Sequence, residues 1–134
     1  MKKILLDTNA YSNLLRGDAN ILDQLGEADL VYVSIFVLGE LYAGFKGGNK
    51  EVVNKRQLEQ FLSKPGVQIL AGSKETSQIF AEIKNNLKQA GTPIPINDVW
   101  IAAHAQETGS LLITYDNHFS LISGLRIWQK PENM

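Results

Sequence analysis

Four carboxylates in this chain stand beside residues that belong in a protein interior. Asp7 ends the apolar run Ile4-Leu5-Leu6, and Asp116 follows Leu111-Leu112-Ile113. Glu40 interrupts an otherwise apolar helical stretch, and Asp98 opens another helix. Lone acidic side chains are almost never fully buried without a partner. Acids at strand ends and helix starts can converge in space, and converging carboxylates repel unless a cation or raised pKa values relieve them. Oxygen ligands in a chain without cysteine favour Mg²⁺ or Mn²⁺ over zinc. Near a phosphodiester, such ions activate water, neutralise developing charge and support the leaving oxygen. The set therefore points to metal-dependent phosphodiester chemistry, with metal-activated water as the attacking group. Asp7 and Asp98 are the preferred direct ligands, because short side chains are held at element ends. Glu40 and Asp116 are expected to bind a second ion or to orient water.

Each acid also has an ordinary use. Asp7 can cap the helix after it, Asp98 suits the positive end of a helix dipole, and Asp116 fits a turn in Tyr115-Asp116-Asn117. Glu40 resists such a reading best, since its neighbours leave little access to water. Four coincidences at one rim are far less expected than one shared purpose.

The elements that must position these acids follow from periodicity. Strands are expected near 3–7, 30–34, 67–71, 111–115 and 125–129. Helices are expected near 9–16, 19–27, 35–46, 50–63, 74–90, 97–108 and 117–122. Strands separated by helices imply crossovers and a mostly parallel five-stranded sheet covered on both faces. Asp7 and Asp116 then lie at carboxyl ends of strands, where ligands gather in such sheets. Ser34 can cap the helix carrying Glu40, and Asn97 the helix beginning at Asp98. The stretch Ile35 to Phe45 has almost no polar face, so its helix is expected to be buried on most sides.

Composition bounds the rest. The 134 residues suit one domain, 1–134, and 44% hydrophobic with 20% charged residues is a globular balance. No apolar run approaches a membrane span, and the absence of cysteine fits a reducing cytosol, so a soluble cytoplasmic protein is expected. The net charge of −1 supplies no global attraction to nucleic acid, which would need a local basic patch or a bridging cation.

Several segments together carry a family likeness: Leu5-Leu6-Asp7-Thr8-Asn9, then Val33-Ser34 before Leu38-Gly39-Glu40-Leu41-Tyr42-Ala43-Gly44. Pro95-Ile96-Asn97-Asp98 leads into Ile101-Ala102-Ala103-His104-Ala105, and Thr114-Tyr115-Asp116-Asn117-His118-Phe119 comes last. In order and spacing the chain resembles PIN-domain ribonucleases, particularly VapC-like toxins of bacterial toxin–antitoxin pairs. The resemblance implies a PIN-like three-layer α/β/α sandwich and Mg²⁺- or Mn²⁺-dependent RNA cleavage. It makes Asp7, Glu40, Asp98 and Asp116 the acidic set, and further implies a homodimer and inhibition by a cognate antitoxin. Through cleavage of tRNA, rRNA or mRNA, such a toxin would inhibit translation.

Other residues take supporting places. Thr8, Asn9 and Thr114 can hydrogen-bond a ligand carboxylate or a phosphate. Arg16, near the Asp7 corner in sequence, is the best single candidate for an RNA contact, while Lys46, Lys50, Lys55 and Arg56 read as a solvated helix face. His118 could touch RNA, but neither it nor His104 is required if an ion activates water. Tyr11, Phe36, Phe45, Trp100 and Trp128 read as core or interface. A phosphoryl-transfer aspartate enzyme is disfavoured because Asn9 stands where a second acid would be needed. A non-catalytic module, whose acidic rim holds a structural ion or a partner's arginine, remains the alternative.

Overall fold

The computed structural model describes residues 1–130. Strands β1 (Lys3–Leu6), β2 (Leu30–Ser34), β3 (Val67–Leu70) and β4 (Leu111–Ile113) form one sheet in the order β3-β2-β1-β4. Every pairing in it is parallel. Six α-helices connect or flank the strands: α1 (Thr8–Leu15), α2 (Ala19–Glu27), α3 (Ile35–Lys46), α4 (Glu51–Leu62), α5 (Lys74–Ala90) and α6 (Ile96–Thr108). A 3-10 helix follows over Asn117–Leu121.

Successive residues of a strand face opposite sides of its sheet. Ile4, Leu5 and Leu6 of β1 are all fully buried, so the sheet centre is covered on both faces. Each such side chain contributes about 1.5–3 kcal/mol through burial. The pattern is that of parallel α/β folds, in which helical crossovers supply both covers.

Four expectations change. The expected fifth strand, 125–129, makes a single bridge, Ile127 to Leu112. Two bonds hold it: Leu112 N–H donates to the Arg126 carbonyl at 2.8 Å, and Trp128 N–H to the Leu112 carbonyl at 2.9 Å. β4 is only three residues long because the chain leaves the sheet after Ile113 to deliver Thr114 and Asp116, so no straight partner remains for a longer strand. The segment near 117–122 is 3-10 rather than α-helical.

Helix α6 starts one turn's fraction earlier than expected, with Pro95 as N-cap and Asn97 already inside, so Asn97 is not a cap. Pro95 fixes its own φ near the value helix entry needs, and its carbonyl accepts the Asp98 N–H at 3.0 Å. Helix α3 buries only one stripe, Val37, Leu38 and Leu41, leaving Ile35, Gly39, Ala43 and Gly44 exposed. The helix buried on most sides is α6, through Val99, Ile101, Ala102, Ala103, His104 and Ala105. Its run of alanines lets β4, α5 and α3 all pack against it closely. Among the described residues, no helix is long and apolar enough to cross a membrane.

Candidate functional site

The order β3-β2-β1-β4 places a switch between β1 and β4: the chain leaves β1 toward β2 on one side and returns as β4 on the other. Ligand crevices in parallel sheets open at such points, beyond the strand carboxyl ends. Asp7 sits on the β1 side of it. Its N–H still bonds the Ile113 carbonyl across the sheet at 3.3 Å, while its backbone, at φ −80° and ψ 178°, stays extended before α1 begins. Thr114 follows β4 directly opposite.

Asp7 is 5% exposed, and both carboxylate oxygens are engaged. Oδ1 accepts the Ala10 N–H at 2.8 Å, making Asp7 the N-cap of α1. Oδ2 accepts the Thr114 hydroxyl. Burial pushes the Asp7 carboxyl above its usual range, the two hydrogen bonds pull it down, and Asp116 and Glu40 raise it further. The capping role and the site role are thus held by one side chain.

Glu40 reaches in from the middle of α3, half-buried, and its Oε1 accepts the Thr8 hydroxyl at 2.8 Å. Asp98 stands in the first turn of α6, where the helix dipole favours a negative charge. Even so, burial lifts its pKa to about 6. The imidazole of His118 pulls the other way, and Asp116, Glu40 and Asp7 add repulsion. Asp116 caps the 3-10 helix, its Oδ1 accepting the His118 N–H at 3.1 Å, and its own N–H donates to Thr114 Oγ1 at 2.9 Å.

One cleft of about 350 Å³ gathers Asp7, Thr8, Asn9, Glu40, Asp98 and Asp116, with Pro95, Ile96, Asn97 and His118 completing its wall. Thr114 lies behind Asp7, within hydrogen-bond reach of two of the acids. Arg16 is elsewhere: it caps the far end of α1, about 13.5 Å along the helix from Asp7, and bonds Asn13 Oδ1 at 3.1 Å. Lys46 and Lys55 pair with Glu51 on the α3–α4 surface.

His118 is the residue whose weight the sequence understated. Its Nε2 faces Asp116 Oδ2 directly and lies 3.4 Å from Asp98 Oδ2. The two carboxylates and this imidazole offer donor atoms all within 4.8 Å of one another. A histidine two residues past a turn-forming acid was the available signal; the 3-10 turn that folds it back is what periodicity could not reveal. His104, by contrast, is fully buried away from the cleft, with Nδ1 2.9 Å from Ser34 Oγ.

No lysine or arginine lines the cleft, and among the described residues none forms an ion pair with any of its four acids. Among the residues that line it, His118 is the one basic side chain. Hard carboxylate oxygens with one imidazole, partly desolvated and mutually repelling, suit a divalent cation. The donor set fits an ion of the Mg²⁺ or Mn²⁺ kind.

A parallel α/β sheet that collects acids at its switch point defines a class, and comparison with known proteins gives it a name. The PIN-domain family model matches residues 4–125, nearly the whole chain, which therefore belongs to the PIN-domain family. Within that family its relatives are VapC proteins. The chain is 30% identical to ribonuclease VapC1 of Haemophilus influenzae over 130 residues, covering 93% of this chain and 95% of that one. It is 32% identical over 114 residues to ribonuclease VapC2 of Rickettsia felis, covering 82% and 84%. The structure of VapBC-1 from nontypeable Haemophilus influenzae superposes with a TM-score of 0.85 at 27% identity, covering 94% of this chain and 96% of that one.

Proposed function

We propose that this protein is a Mg²⁺- or Mn²⁺-dependent endoribonuclease, the toxin of a toxin–antitoxin pair, acting in the cytoplasm as a single PIN unit. The observation that carries this reading is the convergence of Asp7, Glu40, Asp98 and Asp116 in one cleft without a lysine or arginine to neutralise them. Relatives named as VapC ribonucleases and a VapBC assembly of the same fold support it. RNA is the substrate class, and hydrolysis of tRNA, rRNA or mRNA would inhibit translation. A cognate antitoxin and a second copy of the chain are the protein partners.

A bound ion would supply activation of water and neutralisation of charge at the phosphorus. Asp98 and Asp116, whose oxygens lie close together, would hold it directly, in place of the Asp7 and Asp98 pair expected from the sequence, because both Asp7 oxygens are already engaged. Asp7, pinned by Ala10 N–H and the Thr114 hydroxyl, presents a carboxylate of fixed orientation, which removes the reorganisation a free side chain would need. Glu40 is steadied by Thr8 and faces the same space. Asn9 and Asn97 line the cleft as uncharged polar groups able to bond phosphate oxygens. The antitoxin would silence the site by bringing a basic side chain to the same acids.

The test is cleavage of purified RNA with Mg²⁺ or Mn²⁺, EDTA stopping the reaction. Asp7→Ala, Glu40→Gln and Asp98→Asn should each lower turnover by at least about 100-fold, the scale of losing one preorganised group at a charged transition state. Folded Asp98→Asn protein, checked by circular dichroism, makes that loss interpretable. End-mapping should find 5′-phosphates; 2′,3′-cyclic phosphate ends would contradict hydrolysis by water. RNA left intact with every metal, while the antitoxin still binds, would favour a non-catalytic module.

A further inference from the structure

We propose that His118 is itself a ligand of the divalent ion, through Nε2 beside Asp98 and Asp116, and that the resulting nitrogen–oxygen set selects Mn²⁺ over Mg²⁺. The inference rests on the metal site of the proposed function and concerns which atoms compose it.

Three observations lead there. Nε2 is the ring atom that faces both carboxylates, so a cation shared by Asp98 and Asp116 meets this nitrogen as well. The three donor atoms lie within 4.8 Å of one another. An ion bound at about 2.1 Å from each ligand holds its donors roughly 3–4 Å apart; the 3.4 Å between His118 Nε2 and Asp98 Oδ2 already suits it, and the direct His118–Asp116 contact would open to admit the ion. The ring is also held in place. The backbone N–H of His118 bonds Asp116 Oδ1 at 3.1 Å and fixes the turn that carries it, while ring Nε2 contacts Asp116 Oδ2 and the imidazole lies edge-on to Phe119, which is fully buried, with centroids 6.2 Å apart. A side chain serving only as a solvated counter-charge has no need of that anchoring.

Metal preference follows from donor chemistry. Mg²⁺ demands near-ideal octahedral oxygen ligation and gives up water reluctantly, whereas imidazole nitrogen is a good ligand for first-row transition ions. Mn²⁺ accepts both donor types. One imidazole among carboxylates therefore favours Mn²⁺, without excluding Mg²⁺.

Pulsed electron paramagnetic resonance of Mn²⁺ bound to the untagged protein tests the first half. The chain has two histidines, and His104 is buried away from the cleft, so a directly bonded imidazole signal reports His118. Coupling to ¹⁵N is expected in wild-type protein grown on labelled histidine, and should vanish in His118→Gln. Calorimetry tests the second half. Wild-type protein should bind Mn²⁺ at least about tenfold more tightly than Mg²⁺. His118→Ala should lower Mn²⁺ affinity by about 10- to 100-fold, with Mg²⁺ affinity changing less than about threefold. Bound Mn²⁺ without nitrogen coupling, or equal losses for both ions, overturns this inference alone. Failure of the wild-type protein to bind either ion overturns the metal centre as well. The wild-type spectrum decides the ligand question even if a variant does not fold.

Discussion

Thr114 carries more of the site than its size suggests. One hydroxyl donates to Asp7 and accepts from the Asp116 N–H, tying the β1 acid to the acid beyond β4. Thr114→Val keeps the shape and removes both bonds. The Asp7 carboxylate, 5% exposed, would then keep only its Ala10 bond. We expect a loss of about 1–3 kcal/mol in urea denaturation, with divalent-ion affinity falling about 10- to 100-fold because the acids proposed to surround the ion lose their support. Thr114→Ser should restore most of both. A valine variant as stable and as avid for metal as the wild type would rule out the linking role. At this scale the sequence was most informative about the acids, because charge beside apolar runs is a local anomaly. It was least informative about His118, which depends on a 3-10 turn that leaves no mark in periodicity.

Helix α3 begins at a junction that couples two elements. Ser34 Oγ accepts the Phe36 N–H at 3.0 Å as the α3 cap, and the same oxygen meets His104 Nδ1 of α6 at 2.9 Å. His104 is fully buried and its Nε2 has no hydrogen-bond partner, so burial holds its pKa below the ordinary 6.5. The imidazole is therefore neutral in the fold. As pH falls through 6.5 the unfolded chain takes up the proton first. The stability His104 contributes is fully present above that value and is lost as pH falls on through the lower folded value. The slope is at most about 1.4 kcal/mol per pH unit. Asp7 and Asp98, whose pKa values are raised, bind protons more readily when folded and oppose this trend, so the comparison must be with a variant. Denaturation of wild type and His104→Gln between pH 7.5 and 5.5 should show wild type losing more; parallel curves would refute the assignment. Most elements were legible because apolar spacing and glycine breaks mark them. The fifth strand was not, since Leu125 to Gln129 has a strand's composition but finds a partner only three residues long. The all-round burial expected of α3 was found at α6 instead, because composition tells how apolar a helix is, not how many neighbours surround it.

At the scale of the whole molecule, α3 is the element left unfinished. Its composition suits a helix covered all round, yet one chain covers a single stripe. Ile35, Gly39 and Ala43 recur four residues apart, hence on one face, and all three are exposed, Ile35 by 39%. A Cβ added at Gly39 or Gly44 would meet nothing within 4 Å, so that side is smooth and open. Beginning at Phe36, next to Ile35, an aromatic stack runs across α6 to α5: Phe36 lies 5.1 Å from Trp100, and Trp100 3.7 Å from Phe80. All three rings are half-buried, and aromatic residues are enriched where proteins meet. A second copy of the chain is the partner inferred above, and this face is where we place it. A two-fold interface brings the same face of each protomer together, so one substitution acts twice. Ala43→Lys would set two ammonium groups against each other in a desolvated seam, while in the single chain it projects into solvent and leaves the core untouched. Light scattering should therefore find the wild-type protein dimeric and Ala43→Lys monomeric at micromolar concentration. The circular dichroism spectrum should be unchanged, and divalent ions should still bind at the Asp98 cleft. A wild-type monomer would dismiss the dimer, and a variant that stays dimeric would move the seam away from α3.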